Sequence, residues 1–348
     1  MNLEVKESVC AIILTYKDRI NFVKQVSEAL YEQGVLHIIL VSNGTPKNKL
    51  NELNYGKRLT IIDLEQNCGS GKGYRVGLEA AINTSCEFLW LLDDDNLPEE
   101  TCLNTLRKNW VEQTLNTQPD KLALSCYRDD QFDNRELNVS GNKIHVQPRQ
   151  NSYHGFHVSR LFDLINDRII KKPSENITDL SCKEPVYEID GAFFGGLYMH
   201  RSLIQKISFP TDHYFVYVDD LEYSLRITEA GGKILMIRDA KIHGLDWSIP
   251  LKCRTSKLYH STLDYVQPFR TYYCARNIED YTRRKFVTNK ALYYLNLSIF
   301  VMTIGTMAIL RGRFKHYKLL VSGIADSWLG RFGENTSLTK KAGKEKIQ

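Results

Sequence analysis

Five groups of side chains in this sequence could do chemistry. Asp93, Asp94 and Asp95 stand together directly after the apolar run Phe88-Leu89-Trp90-Leu91-Leu92. Adjacent carboxylates repel one another, so such a cluster stays solvated or gathers cations and donors around it. Asp219, Asp220 and Glu222 open a segment with helical spacing, VDDLEYSLR, where exposed N–H groups favour anions. Gly69, Gly71, Gly73 and Gly77 surround Lys72 and Arg75 in NCGSGKGYRVG, a composition that lets backbone N–H groups approach a phosphate while cations neutralise it. His243 lies alone near the end of a short extended run, and Arg276-Asn277 closes the segment RTYYCARN. Read singly, the first four have plain structural explanations: an acidic turn, a capped helix, a tight loop, a core histidine.

The elements around these residues place most of them at one edge. Val9 to Thr15 reads as a strand, Ile20 to Glu32 as a helix with Val23, Val26 and Leu30 on one face, and His37 to Ser42 as a second strand. Leu59 to Leu64 is a third strand. The glycine stretch from Asn67 to Gly77 reads as a loop leading into a helix through Ala80 and Ala81, and the FLWLL strand follows, apolar enough to be buried on both faces. This alternation predicts an α/β fold, a Rossmann-like, mostly parallel sheet with right-handed crossovers and flanking helices. Ligands of such sheets collect at the carboxyl ends of strands, where Thr15, Tyr16, Asn43, Asn67 and the aspartate triplet all fall.

Beyond Pro98 a helix carries Leu103, Leu106 and Trp110, and Leu122 to Tyr127 reads as a further strand. Residues 128–184 have weak periodicity, with a β segment near Lys143 to Val146 and a short helix around Leu161 to Ile170. They read as an insertion that shapes an acceptor pocket. Glu188 to Met199 mixes apolar residues and glycines, the helix opened by Asp219 closes at Gly231-Gly232, and Lys233 to Ile237 is a strand.

The glycine stretch follows the third strand, whereas a dinucleotide fingerprint or a nucleotidyltransferase loop should follow the first. Nor is it a P-loop, since glycine follows Lys72. In this order the motifs resemble glycosyltransferase family 2, the inverting nucleotide-sugar enzymes with the GT-A fold. The resemblance runs from Val9 to about His243: IILTYKDR, VSNGT, NCGSGKGYRVG, LLDDDNLP in the place of the D-x-D motif, GAFFGGLYMHRSLI, FVYVDDLEYSLR and AKIHG. Ser42 is a departure, standing where many members carry an aspartate that helps hold the nucleoside. The glycine loop followed by Asp-Asp-x-Glu-Tyr is most similar to galactofuranosyltransferases, with Lys72 a departure. Rhamnosyltransferases of surface polysaccharide assembly are close competitors. RTYYCARN and GIADSWLGRFG are also similar to elements of these bacterial enzymes.

The resemblance implies a hexosyltransferase working on a nucleotide-sugar donor and a lipid-linked glycan or polysaccharide acceptor, as in O-antigen or lipopolysaccharide synthesis. UDP-galactofuranose is the preferred donor and dTDP-rhamnose the alternative; a catalytically silent sugar-binding scaffold on the same fold is the reading from another class. It implies a divalent cation, Mn²⁺ or Mg²⁺, ligated by Asp95 and His243, the histidine favouring Mn²⁺. Asp220 would be the base, with Asp219, Glu222 and Arg276 positioning acceptor or donor. Thr15, Tyr16, Asn43, Asn67, Gly69, Arg75, Asp93 and Asp94 would hold the nucleotide sugar, Asp94 mattering least of the triplet.

Composition bounds the setting. With 348 residues, 43% hydrophobic content and a net charge of +5, the chain suits one large α/β domain with appendages. Its eight cysteines form no C-x-x-C pair and read as free thiols of a reducing compartment. From Arg270 onward there are 15 Lys+Arg against 5 Asp+Glu, and Ala291 to Leu310 carries no charge at all between cationic flanks. Such a stretch barely reaches the ~30 Å of a hydrocarbon core. It predicts a helical region lying on the inner face of the plasma membrane, with a packed core or oligomer helix and a single span as the alternatives, and a protein that is cytoplasmic and peripherally bound, without affinity for nucleic acid. The expected organisation is a catalytic domain over 1–250, a basic membrane-associating region over 251–334 and a disordered tail over 335–348, with a homo-oligomer possible.

Overall fold

The computed structural model describes residues 8–128, 138–159, 184–246, 263 and 268–338. Three parallel strands, β1 (Val9–Thr15), β2 (His37–Ser42) and β3 (Leu59–Asp63), open the sheet, with α1 (Ile20–Glu32) and the short α2 (Lys47–Leu50) between them. α3 (Ser70–Ala81) leads to β4 (Phe88–Asp93), which pairs parallel with β1. Then come β5 (Asn96–Pro98), α4 (Cys102–Thr114) and β6 (Leu122–Tyr127). The insertion contributes the strands β7 (Asn138–Ser140) and β8 (Lys143–His145), and the expected helix near 161–170 lies outside the described residues. The domain ends with β9 (Val186–Ile189), β10 (Leu197–His200), α5 (Ser202–Ile207), α6 (Asp219–Glu229) and β11 (Lys233–Gly244).

The strand order is β3-β2-β1-β4-β10-β6-β11-β9-β8-β7, with β10 antiparallel to both its neighbours. The mostly parallel mixed sheet with flanking helices is thus the α/β architecture expected from the sequence. β4 is buried on both faces, as its unbroken apolar run predicts. Phe88, Trp90 and Leu92 enter one core with Val9, Ala11 and Ile13, while Leu89 and Leu91 enter the other with Cys10 and Ile12. A strand sealed on both faces leaves only its carboxyl end open to solvent, and Asp93 begins there.

Two local differences from the sequence reading matter for the site. The glycine stretch is mostly helix: α3 begins at Ser70, and Gly71, Gly73 and Gly77 lie on its buried face. A Cβ on Gly73 would stand 2.4 Å from Leu14 Cδ1 and one on Gly77 2.5 Å from Ile12 Cγ2, so glycine lets the helix sit directly on β1. That packing outweighs the roughly 1 kcal/mol each glycine costs a helix. β11 is also longer than expected. It shifts register between Ile237 and Lys241 and continues to pair with β5, setting His243 opposite Leu97.

Three helices complete the fold: α7 (Pro268–Lys285), α8 (Lys290–Leu310) and α9 (Phe314–Trp328). Asn289 caps α8 by accepting from Leu292 N–H at 3.1 Å. α7 and α9 approach closely at Gly323, where a Cβ would lie 2.5 Å from Tyr272 O. Of the expected tail, residues 335–338 are described; Asn335 N–H donates to Tyr273 Oη at 2.7 Å and Leu338 packs near Phe215 and Tyr272.

Candidate active site

Asp93 is the open carboxylate of the triplet. Tyr74, fully buried in α3, donates its hydroxyl to Asp93 Oδ1 at 2.7 Å, and the Arg128 guanidinium stands 3.7 Å from Oδ2. Asn96 Oδ1 accepts from Asp93 N–H at 3.1 Å and from Arg128 at 3.3 Å. Gly195 leaves room beside this group, since a Cβ there would fall 2.2 Å from Asn96 Oδ1 and 2.9 Å from Asp93 Oδ2. Burial, reinforced by the Asp93 charge, raises the Tyr74 hydroxyl well above its usual pKa, so it remains a donor.

Asp94 and Asp95 turn the other way, onto Arg19. The guanidinium lies 3.0 Å from Asp94 Oδ1, 2.9 Å from Asp95 Oδ2 and 3.0 Å from Asp246 Oδ2. Thr15 Oγ1 donates to Asp94 Oδ2 at 2.7 Å, so Thr15 is a support of the triplet. Arg19 also packs near the rings of Tyr16 and Phe22, at 5.6 and 5.2 Å from their centroids. Burial pushes Asp94 up to about 8 against the pull of Arg19 and Thr15, and it raises Asp95 as well. For Arg19, burial acts to lower the pKa and the three carboxylates more than offset it.

His243 and Asp95 are not gathered into a ligand set. His243 Nε2 is 2.8 Å from Glu99 Oε1, while Asp95 is divided between Arg19 and the Asn96 side-chain amide, 3.0 Å from its other oxygen. Among the described residues no three His, Cys, Asp or Glu side chains are arranged to hold a metal ion. In this arrangement the Asp95 carboxylate neutralises a guanidinium and His243 is turned to Glu99.

The second acidic group is delivered by strained backbone. Tyr217 and Val218 have φ of 67° and 75°, a conformation costly for any L-residue and most of all for a β-branched one. From α7, Asn277 Nδ2 donates to Val216 O at 2.7 Å and to Tyr217 O at 3.1 Å, and Tyr281 Oη donates to Leu221 O at 3.1 Å. The turn so held starts α6 with Asp219 and Asp220. Asp219 is buried, with Oδ2 lacking a hydrogen-bond partner, and its Cβ is 3.5 Å from the point where a Gly71 Cβ would be. Burial raises both carboxyls; the charge of Asp219 adds to the rise at Asp220, and that of Asp93 adds to both. Asp220 is therefore a stronger base than a helix-start aspartate in water. Glu222 turns to Arg226, at 2.9 and 2.6 Å, and lines a cavity of about 130 Å³ with His213, Tyr281 and Arg284.

The glycine loop joins the two acidic groups. Gly69, with φ of 90°, lies under Phe215: a Cβ would sit 2.2 Å from its carbonyl oxygen, to which Ser70 N–H donates at 3.1 Å. Asn43 clamps the loop, donating to Gly69 O at 3.0 Å and accepting from Cys68 N–H at 2.7 Å, while Asn67 Oδ1 accepts from Gly69 N–H. Gly71 likewise accommodates Thr211 O. These glycines are thus used for close backbone passage over the loop. Arg75 pairs with Glu79 one turn on, at 2.9 Å. Arg276 is buried under the C-terminal segment, donating to Arg331 O and Gly333 O among the rings of Tyr272, Tyr273 and Phe332.

No family model matches the sequence, and no curated protein matches it. Solved structures do. One is GalNAc-T7 with UDP, GalNAc and Mn²⁺, at 12% identity and a TM-score of 0.48 over 80% of this chain. Another is S. aureus TarS 1–349 in complex with UDP-GlcNAc, at 14% identity and a TM-score of 0.42, covering 93% of this chain and 92% of that one. The chain spans about half, 51%, of the GalNAc-T7 chain.

Sequence reasoning missed Arg19, Tyr74, Arg128 and Asp246, and gave Asn277 no role of its own. Arg19 and Tyr74 lay inside recognised motifs, yet nothing in a linear sequence says which cation or hydroxyl folds back onto a carboxylate. Asp63 is a further addition. It ends β3, partly exposed, and its Oδ1 accepts from Ser42 Oγ at 3.0 Å, which puts a carboxylate beside the position where the sequence has serine.

Proposed function

We propose that the chain is an inverting glycosyltransferase that moves a hexosyl group from a nucleotide sugar to an acceptor hydroxyl. UDP-galactofuranose is the proposed donor, and a lipid-linked glycan or cell-surface polysaccharide the proposed acceptor. One observation carries the reading. Two acidic groups far apart in the chain come together on α3 at the edge of a mostly parallel sheet: Asp93, at a strand's carboxyl end, accepts from the buried Tyr74 hydroxyl, and Asp219, at the helix start it shares with Asp220, packs against Gly71.

In this reading Asp93, held by Tyr74, takes the ribose of the donor, and Asp63 with Ser42 faces the base. Asp220 removes the proton from the acceptor hydroxyl as its oxygen attacks C1. The bond from C1 to the diphosphate breaks on the opposite side, its electron pair leaves with the nucleoside diphosphate, and the configuration at C1 inverts. The raised pKa of Asp220 makes it a better proton acceptor once ionised. Arg128, beside Asp93 at this edge, is the cation proposed to face the departing diphosphate. No step is assigned to a divalent cation.

The test combines a donor panel with one substitution. UDP-galactofuranose, dTDP-rhamnose and other nucleotide sugars are scored for transfer and slow hydrolysis, and D220N is compared with the wild type. D220N should lose transfer by about 10³-fold, the middle of the range for a general base, while donor affinity by calorimetry stays within about threefold. Wild-type turnover in D220N would remove Asp220 from the mechanism. Turnover of a different sugar would change the donor and leave the class. Binding without turnover across the panel would favour a silent sugar-binding scaffold.

A further inference from the structure

α8 is apolar along its whole length, but only one side of it is covered. The inner side is fixed to the body of the protein: Tyr293, Leu297, Phe300 and Ile304 pack with Tyr153, Leu320 and Ile324. Asn296 is buried there, its side chain donating to Asn151 O and accepting from Val158 N–H, each at 2.8 Å. A helix bonded in this way along one side lies against the domain. Its length and composition would suffice to cross a bilayer, but spanning would break those bonds and expose Asn296 to hydrocarbon.

The outer side carries Leu295, Met302 and Ile309, spaced by seven residues and so on one line. Met302, Ile309 and Leu310 are 70%, 73% and 76% exposed. The band continues onto α9 at both ends, through Phe314 next to Leu310 and through Trp328, whose ring contacts Tyr294 at 6.4 Å. At 1.5 Å per residue the band is about 30 Å long. No charged residue interrupts it, and cations stand at its ends: Arg311, Arg313, Lys315 and Lys318 at one, Lys290 and Arg331 at the other. From residue 290 to 331 the sequence has these six cations and one acid, Asp326, which pairs with Arg331 at 3.4 Å.

We infer that the outer face of the α8–α9 hairpin is a docking surface for an anionic lipid bilayer, with α8 lying in the plane of the interface. The charge selects this occupant. A second copy docked face to face would bring cations against cations around the apolar band, whereas a bilayer bearing acidic headgroups offers the complementary charge beside hydrocarbon. The aromatic pair Tyr294 and Trp328 suits the headgroup depth. The surface stands independently of the transfer reaction and of the donor assignment.

The full chain is tested by flotation with phosphatidylcholine vesicles, with and without about 30 mol % phosphatidylglycerol. Binding is expected to the anionic vesicles only, and high salt should release it. M302D/I309D should abolish binding. Neutralising Arg311, Arg313, Lys315 and Lys318 to Gln should weaken it by about fivefold per cation. V111D, at an exposed apolar residue of α4, is the control and should bind as wild type. All substituted positions are exposed, and thermal melts verify that the variants fold. Equal binding to neutral vesicles, resistance to salt and alkaline carbonate, or unchanged binding of M302D/I309D would overturn the inference. So would absence of vesicle binding together with a dimer that M302D/I309D dissociates.

Discussion

Arg19 is the only cation ion-paired with Asp94, Asp95 or Asp246 among the described contacts, so Arg19→Met tests how the aspartate triplet is held. Each of the three contacts is 2.9 to 3.0 Å. At about 4 Å between charge centres and an effective dielectric constant near 20, each attraction is worth roughly 4 kcal/mol before desolvation and carboxylate repulsion are counted. After those costs, removing one partner of such a buried network typically loses about 3 to 5 kcal/mol. Methionine keeps most of the packing against Tyr16 and Phe22, so the loss reports charge. It should appear as a lower urea midpoint at pH 7 with an unchanged m-value. The pH dependence has a definite sign. Asp94, already pushed up to about 8, is protonated in both folded proteins below neutrality, so the pH dependence comes from Asp95, whose folded-state pKa without the guanidinium rises further above the unfolded value of 3.8. The folded state then holds protons that the unfolded state has released, so the variant loses stability as pH rises from about 4 toward neutrality, by about 1.4 kcal/mol per unit per proton. The deficit should shrink at pH 5. Mn²⁺ should raise the melting temperature of Arg19→Met more than that of wild type, because only the variant leaves the carboxylates uncompensated. A variant as stable as wild type at pH 7, or a deficit that grows on acidification, would refute the network as described.

Two further outcomes follow from the second acidic group. Asp219→Asn removes a charge that raises Asp220; because the proposed base must be ionised to accept a proton, activity should rise with pH through its pKa, and the acidic limb of kcat/KM should move about one unit toward lower pH. An unmoved limb would mean that Asp220 is not the titrating base. Asn277→Ala leaves the carbonyls of Val216 and Tyr217 without their donor and releases a turn carrying about 1 to 3 kcal/mol of strain at Val218. Its kcat should fall at least about tenfold while the protein stays folded, and unchanged kcat would show that the turn does not depend on α7.

What could be read from the sequence was whatever depends on short-range pattern. β4 was legible because five apolar residues in succession suit only an element covered on both sides, and the three aspartates that end the run fix its carboxyl end. Helices α1 and α4 were legible from spacing, and Val23, Val26, Leu30, Leu103, Leu106 and Trp110 are all buried. The glycine stretch was divided wrongly because glycine has two uses with the same local signature. Gly69 needs its positive φ, whereas Gly71, Gly73 and Gly77 are placed by what they touch, namely Thr211 O, Leu14 and Ile12. The metal expectation met a similar obstacle. Asp95 and His243 have side chains of ligand type, but the sequence gives no hint that Arg19 and Glu99 engage them.

The C-terminal helices are tied to the acidic group by strain. A backbone that holds valine at φ of 75° must be stabilised from outside its own segment, and the donors at Val216, Tyr217 and Leu221 come from Asn277 and Tyr281 on α7. α7 in turn is locked to α9 where Gly323 lets the two backbones approach, and through Glu279, which accepts from Ser327 at 3.3 Å and also from Trp328. Trp328 closes one end of the apolar band on the outer face. A short chain of contacts therefore runs from that face to the turn before Asp220. If the face rests on a bilayer, the same path sets the height of the proposed base above the lipid surface, and this favours an acceptor that is itself held there.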